Sequence, residues 1–232
     1  MKLTRFWPAL IYALPAFIAA IMLSGCAPSA SEAITLHVKV TAHAVADGVP
    51  REGSSVLEIK LRRTPNSLSG MAARMKLRGE AVILDMGRGR TAYFLLKDYV
   101  HDILNGYDVA PSAGSVGETS FDKLRAASGV IDVPRKQYPK IAAFKDETDP
   151  TTVYEVNPDD FAAAFWPGVE LTGLTLELVD EPVTEKIAAR LSWLEPTRGG
   201  RLVPIEGNRV ATKDASFGQL TKQSDFVTLR LE

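Results

Sequence analysis

Ile34-Thr35-Leu36-His37-Val38-Lys39-Val40-Thr41 decides the fold class. Apolar and polar residues alternate at every step. Successive side chains of a strand point to opposite faces, so Ile34, Leu36, Val38 and Val40 share one face and the polar set shares the other. Working outward, Asp47-Gly48 and Val49-Pro50 supply turn chemistry. Leu57, Ile59 and Leu61 then alternate with Glu58, Lys60 and Arg62, which predicts a second strand. Pro65 to Gly70 reads as a loop, and Lys76 to Asp85 as a third strand. Met86-Gly87-Arg88-Gly89 turns the chain into a fourth strand, Thr91 to Leu96. Residues 82–84 and 93–96 are continuous apolar runs, as expected of strands covered on both faces. Four strands at regular spacing predict an antiparallel sheet or sandwich in the first half.

The middle and the second half carry helix signals between strand signals. Asp98 to Leu104 predicts a short helix ended by Asn105-Gly106, and Ser120 to Ala127 a second one with Ser120 as its cap. Pro111 to Gly117 reads as a surface loop. Asn157-Pro158 with Asp159 and Asp160 predicts a helix start, with Phe161 and Phe165 one turn apart and Pro167-Gly168 as the stop. Leu171, Leu174, Leu176 and Leu178 predict a strand with an irregularity at Gly173. Thr184 is the expected cap of a helix whose apolar stripe is Ile187, Ala188, Leu191 and Leu194, ended by Glu195-Pro196. Arg198 to Arg201 reads as a turn, and Val227, Leu229 and Leu231 as a last strand. The expected class is therefore α+β and β-rich, with a few short helices packed on the sheet, mainly in the second half.

The N-terminus has a targeting layout. Lys2 and Arg5 precede an uncharged apolar stretch from Phe6 to Leu23. Such a segment is set aside from fold reasoning. It is about as long as the roughly 20 residues that span a bilayer. Pro8 and Pro15 interrupt it, and no lysine or arginine follows before Lys39 to act as a stop-transfer flank. Small residues then lead to Cys26, the only cysteine of the chain. Leu23, Ser24, Gly25 and Cys26 resemble the lipobox of bacterial lipoproteins. The resemblance implies cleavage after Gly25, acylation of Cys26 and a mature chain of 207 residues. It also implies a place in the cell envelope facing the periplasm. Ala27 in place of an aspartate favours the outer membrane over the inner.

The organisation expected is a signal peptide over 1–25, a tether over 26–33, and a β-rich domain over 34–232, with a subdivision into 34–140 and 141–232 left open. With no cysteine after Cys26, no internal disulfide holds the domain, and its core must do so. At this length a core is large enough. The net charge is −1, and removal of Lys2 and Arg5 leaves about −3. There is no basic run, which argues against nucleic acid as a partner, because such binding rests on phosphate neutralisation.

Between Gly79 and Leu194 several stretches stand out: Gly79-Glu80-Ala81-Val82, Phe94-Leu95-Leu96, Phe144-Lys145-Asp146, Val153-Tyr154-Glu155-Val156, Asn157-Pro158-Asp159-Asp160-Phe161 and Leu191-Ser192-Trp193-Leu194. They resemble a group of uncharacterised bacterial lipoproteins and secreted proteins. The resemblance covers about half the chain and implies an envelope domain type without a transferable activity.

Candidate chemistry is sparse. His37 and His43 lie six residues apart, about 20 Å along a strand at 3.3 Å per residue, too far for one metal ion. They read as solvent-facing, and no metal or cofactor is implied. Gly114-Ser115-Val116-Gly117 lacks the Gly-x-Ser-x-Gly spacing of a hydrolase elbow. Ser115 meeting His101 is the residual hydrolase reading. Asp146, Glu147 and Asp149 read as a solvated turn, and Asp159-Asp160 as complements to a helix dipole. Gly87-Arg88-Gly89-Arg90 reads as a hairpin turn rather than a phosphate cradle, and Trp166 and Trp193 as core or boundary aromatics. The sequence thus points to a non-enzymatic, lipid-anchored binding or adaptor module. A small-molecule or glycan binder and a hydrolase of cell-wall or lipid substrates are the alternatives.

Overall fold

The structure is a computed structural model that describes residues 33–64, 72–97, 99–108, 118–194, 200–205 and 214–228. The fold is α+β and β-rich, with two antiparallel sheets and a few short helices. The lipobox, the loops at 65–70 and 111–117, Ser115, Glu195-Pro196 and Leu229 to Leu231 lie outside the described residues.

Strand β1 (Ala33–Ala46) pairs with β2 (Val49–Thr64) through a two-residue turn. Asp47 and Gly48 have φ of 53° and 75°. Positive φ at both central positions gives the hairpin turn whose twist matches its strands, and Asp-Gly is a favoured pair for it. Ile34, Leu36, Val38 and Val40 are buried, as the alternation predicts, and Ala42, Ala44 and Ala46 extend the same face. The partner strand contributes Leu57, Ile59 and Leu61.

The expected third strand is two strands. β3 (Ala72–Glu80) belongs to the first sheet and β4 (Val82–Gly87) to the second. Gly79 has φ of 145°, a region that disfavours side chains, and a Cβ there would lie 2.5 Å from the Leu57 side chain. Gly79 and Glu80 still pair with β10 in the first sheet, and the chain changes sheet at Ala81, between strands that the sequence reads as one.

β4 turns into β5 (Arg90–Phe94) through Gly87, Arg88 and Gly89, all at positive φ. The remaining strands are β6 (Val130–Asp132), β7 (Ile141–Phe144), β8 (Val153–Val156), β9 (Val169–Leu178) and β10 (Val227–Thr228). The six-stranded sheet has the order β10-β3-β2-β1-β9-β6, and the four-stranded sheet β4-β5-β7-β8. Both therefore include strands from the second half of the chain. The irregularity at Gly173 is a register shift where β9 passes His43 and Ala44 of β1.

Strand β4 lies against β1 and β2 and joins the sheets face to face. At Gly53 the approach is backbone on backbone: a Cβ there would sit 2.0 Å from the Ile83 carbonyl oxygen. One apolar cluster fills the space between the sheets, including Val38, Val40, Leu84, Phe94 and Ile141. A second covers the far face of the four-stranded sheet with Tyr93, Ala142, Phe144, Leu191 and Phe226. The continuous apolar runs of β5 and β7 follow from this double coverage.

Helices α1 (Val100–Gly106) and α2 (Glu118–Ala126) pack Ile103, Phe121 and Leu124 into the first cluster. Three further helices, α3 (Phe161–Ala164), α4 (Ile187–Arg190) and α5 (Phe217–Leu220), are single turns. Their starts correct three sequence expectations. Ser120 is the third residue of α2, so it does not precede it. Asp160, not Asn157, caps α3, accepting from Ala163 N, while Asn157 Oδ1 accepts from Asp159 N in a local turn. Thr184 does not cap α4. Its Oγ1 accepts from Val56 N and bonds Ser55 Oγ. The carboxylate that serves α4 comes from another strand: buried Glu80 accepts from Lys186 N and Ile187 N at 2.7 and 2.8 Å. A long-range cap of this kind leaves no local signature in sequence. Ala188, expected in the apolar stripe, is exposed because a single turn presents only Ile187 and then Leu191 inward.

Candidate binding cleft

Three adjacent strands of the four-stranded sheet converge at one end. β7 pairs with β5 through Ala142 opposite Tyr93, and with β8 through Ala143 opposite Tyr154. Lys145, in the bend that follows β7, and Arg90, the first residue of β5, face the same cleft. Arg90, Lys145 and Tyr154 line one cleft of about 570 Å³, walled by Ala163 and Ala164 of α3 and rimmed by Asn157, Asp160 and Glu155.

Arg90 is held from several sides. Its Nη2 donates to Tyr154 Oη at 2.5 Å and to the Ala164 carbonyl at 3.4 Å. The guanidinium carbon lies 5.9 Å from the centre of the Phe165 ring, within cation–π reach. Its Nε is buried without a hydrogen-bond partner. Among the described residues neither Arg90 nor Lys145 has a carboxylate within ion-pair distance. Arg90 and Lys145 share the cleft with Asp160 and Glu155 but form an ion pair with neither, which leaves two cationic groups free to receive an anion.

The neighbouring turns fix this end of the molecule. Asp47 accepts from Arg88 Nη2 at 2.7 Å and from Trp166 Nε1 at 3.0 Å, and Arg88 stacks over the Trp166 ring at 4.6 Å. The Asp47 amide also donates to the Gly168 carbonyl. The β1–β2 turn, the β4–β5 turn and the turn after α3 are thereby tied together. The hairpin reading of Gly87 to Arg90 holds, and the turn also orients the arginine that the cleft uses. Trp166 is a boundary aromatic, as expected.

A second cleft, of about 550 Å³, adjoins Glu155 from the other side and is lined by Arg135, Lys136, Tyr138 and Lys140. Here the charge is in part satisfied. Arg135 donates to the Pro158 and Leu171 carbonyls and lies 3.7 Å from Asp159.

The other sequence candidates separate. His37 and His43 share the outer face of the six-stranded sheet, apart from each other. His37 Nδ1 meets the Glu181 carbonyl oxygen at 2.7 Å, and His43 Nε2 meets Thr175 Oγ1 at 3.2 Å. Glu181 also binds Lys39 at 3.0 Å and raises the pKa of its amine. His101 Nε2 lies 2.9 Å from the side-chain amide of Asn105, one turn along α1. Among the described residues no group of three or more histidine, cysteine, aspartate or glutamate side chains is placed to hold a metal ion.

Asp146 and Asp149 lie in exposed turns, as expected. Asp146 accepts from the Thr148 hydroxyl and amide, which lowers its pKa. Glu147 departs from the solvated-turn reading. It forks onto Arg190 at 3.0 and 3.2 Å, and its backbone carbonyl accepts from Trp193 Nε1. Arg190 also donates to Thr91. Beside this pair the Tyr93 hydroxyl is buried without a hydrogen bond. Burial, reinforced by the Glu147 carboxylate, pushes its pKa well above the ordinary tyrosine value. This cluster pins α4 to the sheet beneath the second apolar cluster.

The sequence reading missed the cleft because Arg90 and Tyr154 lie on two strands and Lys145 in the bend after a third, spread over 65 residues. The only local trace was an arginine closing a glycine-rich turn. Among the described residues no helix is long and apolar enough to cross a membrane. No family model, no curated protein and no solved structure matches this chain.

Proposed function

We propose that the chain is a lipid-anchored cell-envelope protein that acts by binding, as an adaptor or recognition module for another envelope component. Cys26 is acylated, residues 1–25 are removed, and the domain faces the periplasm, with the outer membrane favoured. The observation that carries this reading is Leu23-Ser24-Gly25-Cys26 directly behind an apolar segment headed by Lys2 and Arg5. Several acyl chains on one cysteine anchor stably, whereas a single chain binds only marginally.

The geometry agrees with an anchor at that end. Strand β1 begins seven residues after Cys26, at Ala33. That tether reaches about 25 Å at most when extended. The Arg90 cleft neighbours the Asp47 turn at the opposite end of β1, about 40 Å along the strand at 3.3 Å per residue. A cleft at the far end from the anchor stays open to the periplasm. It favours, as a second reading, a binder of small molecules or glycans.

Cell fractionation tests the anchor. The wild type is expected in the membrane fraction and Cys26→Ala in the soluble fraction. A Cys26→Ala protein that remains wholly membrane-bound contradicts the proposal.

A further inference from the structure

We infer that the Arg90–Lys145 cleft recognises a small organic carboxylate carrying hydrogen-bond donors of its own. The inference rests on the binding reading above and names its ligand class.

The charge arrangement selects an anion. Arg90 and Lys145 line the same cleft, and among the described residues neither is ion-paired with a carboxylate. A guanidinium offers a planar fork that matches a carboxylate, and an ammonium beside it adds a mobile point charge.

The size and the rim narrow the class. At about 570 Å³ the cleft falls within the range of roughly 300–1,000 Å³ typical of organic ligands and far exceeds the needs of a lone inorganic ion. Ala163, Ala164 and the Tyr154 ring offer apolar contact to a ligand body. Glu155 and the second carboxylate oxygen of Asp160 place acceptors in the lining, suited to ligand hydroxyl or ammonium groups, while Asp160 Oδ1 caps α3. The two rim carboxylates also repel polyanions, so a single negative charge is preferred. A sugar acid and an amino acid share this chemistry.

Calorimetric titration of the full-length protein in detergent tests the inference, with glucuronate and glutamate as probes and glucose as the uncharged control. Saturable binding of at least one carboxylate is expected, with no binding of glucose. Glucuronate alone identifies a sugar-acid site, and glutamate alone an amino-acid site. Lys145→Gln, at an exposed position, and Arg90→Gln should each weaken binding at least about tenfold. Unchanged circular dichroism establishes that the variants fold. The inference is overturned if neither carboxylate binds up to about 10 mM, if glucose binds as well as glucuronate, or if both folded variants bind like the wild type. Cys26→Ala separates this from the anchor. A variant that binds the carboxylate yet still partitions to membranes removes the anchor and leaves the cleft standing.

Discussion

The two sheets bury their strands differently. In the six-stranded sheet, β1 and β2 send Val38, Val40, Leu57 and Ile59 inward and expose His37, Lys39, Glu58 and Lys60 to the opposite face. In the four-stranded sheet, β7 has no wet face: Ile141 and Ala143 enter one apolar cluster, and Ala142 and Phe144 the other. One sheet is a wall with a solvent side, and the other is a partition between two cores. β7 can be short because each of its residues is covered from both sides. The partition also depends on C-terminal segments for its cover, since Ile187, Leu191, Leu202 and Phe226 lie over its far face.

This contrast orders the expected effects of substitution. The largest lies where wall and partition touch. Gly53→Ala would drive a Cβ to 2.0 Å from a backbone carbonyl of β4, which cannot rotate away. The sheets must separate, at a cost of about 3 kcal/mol or more. Urea unfolding of this variant should show a much lower midpoint, and wild-type stability would mean that the sheets do not meet at Gly53.

Phe226→Ala comes next. Its ring is fully buried against Tyr93, Phe144 and Trp193. Truncation should cost about 3–5 kcal/mol. A loss below about 1 kcal/mol would show that the C-terminal layer is not needed by the partition.

Tyr93 provides a pH test. Its pKa is raised above the ordinary 10.0, chiefly by burial, as is that of fully buried Tyr99. Above that value the unfolded chain loses a proton that the folded chain keeps, so stability is complete below about pH 10 and falls as the pH rises further. Tyr93→Phe also removes a buried hydroxyl that has no hydrogen bond. Near neutral pH the variant should therefore match the wild type within about 1 kcal/mol, and above pH 10 it should lose stability less steeply. A pH profile parallel to the wild type would contradict the buried, neutral phenol.

The smallest effect belongs to the solvent face of the wall. Lys39→Ala removes a half-exposed ion pair with Glu181 and should cost no more than about 1 kcal/mol. A larger loss in thermal melts would mean that the segment over this face is part of the core.

The same contrast explains what was legible in the sequence. A strand with one wet face writes its burial as alternation, so β1 and β2 could be read residue by residue. The central strands of the partition, β5 and β7, lose that signature and leave only continuous runs such as 93–96. The sheet change at Ala81 was hidden because Leu77 and the run at 82–84 read as one strand through the polar step Arg78-Gly79-Glu80. The Glu80 cap of α4 and the Arg90–Lys145–Tyr154 cleft were hidden for a related reason. Each joins residues distant in sequence, and neither leaves a local pattern. The local signals that did translate were those with a backbone cause, such as Asp47-Gly48 at positive φ and the register shift beside Gly173.

The central claim, a binding domain held in the envelope through Cys26, is tested most directly by intact-mass analysis of the protein purified from membranes. The account predicts a chain that begins at Cys26 and carries acyl chains on that residue. A chain that retains residues 1–25, or begins elsewhere with Cys26 unmodified or absent, would contradict it.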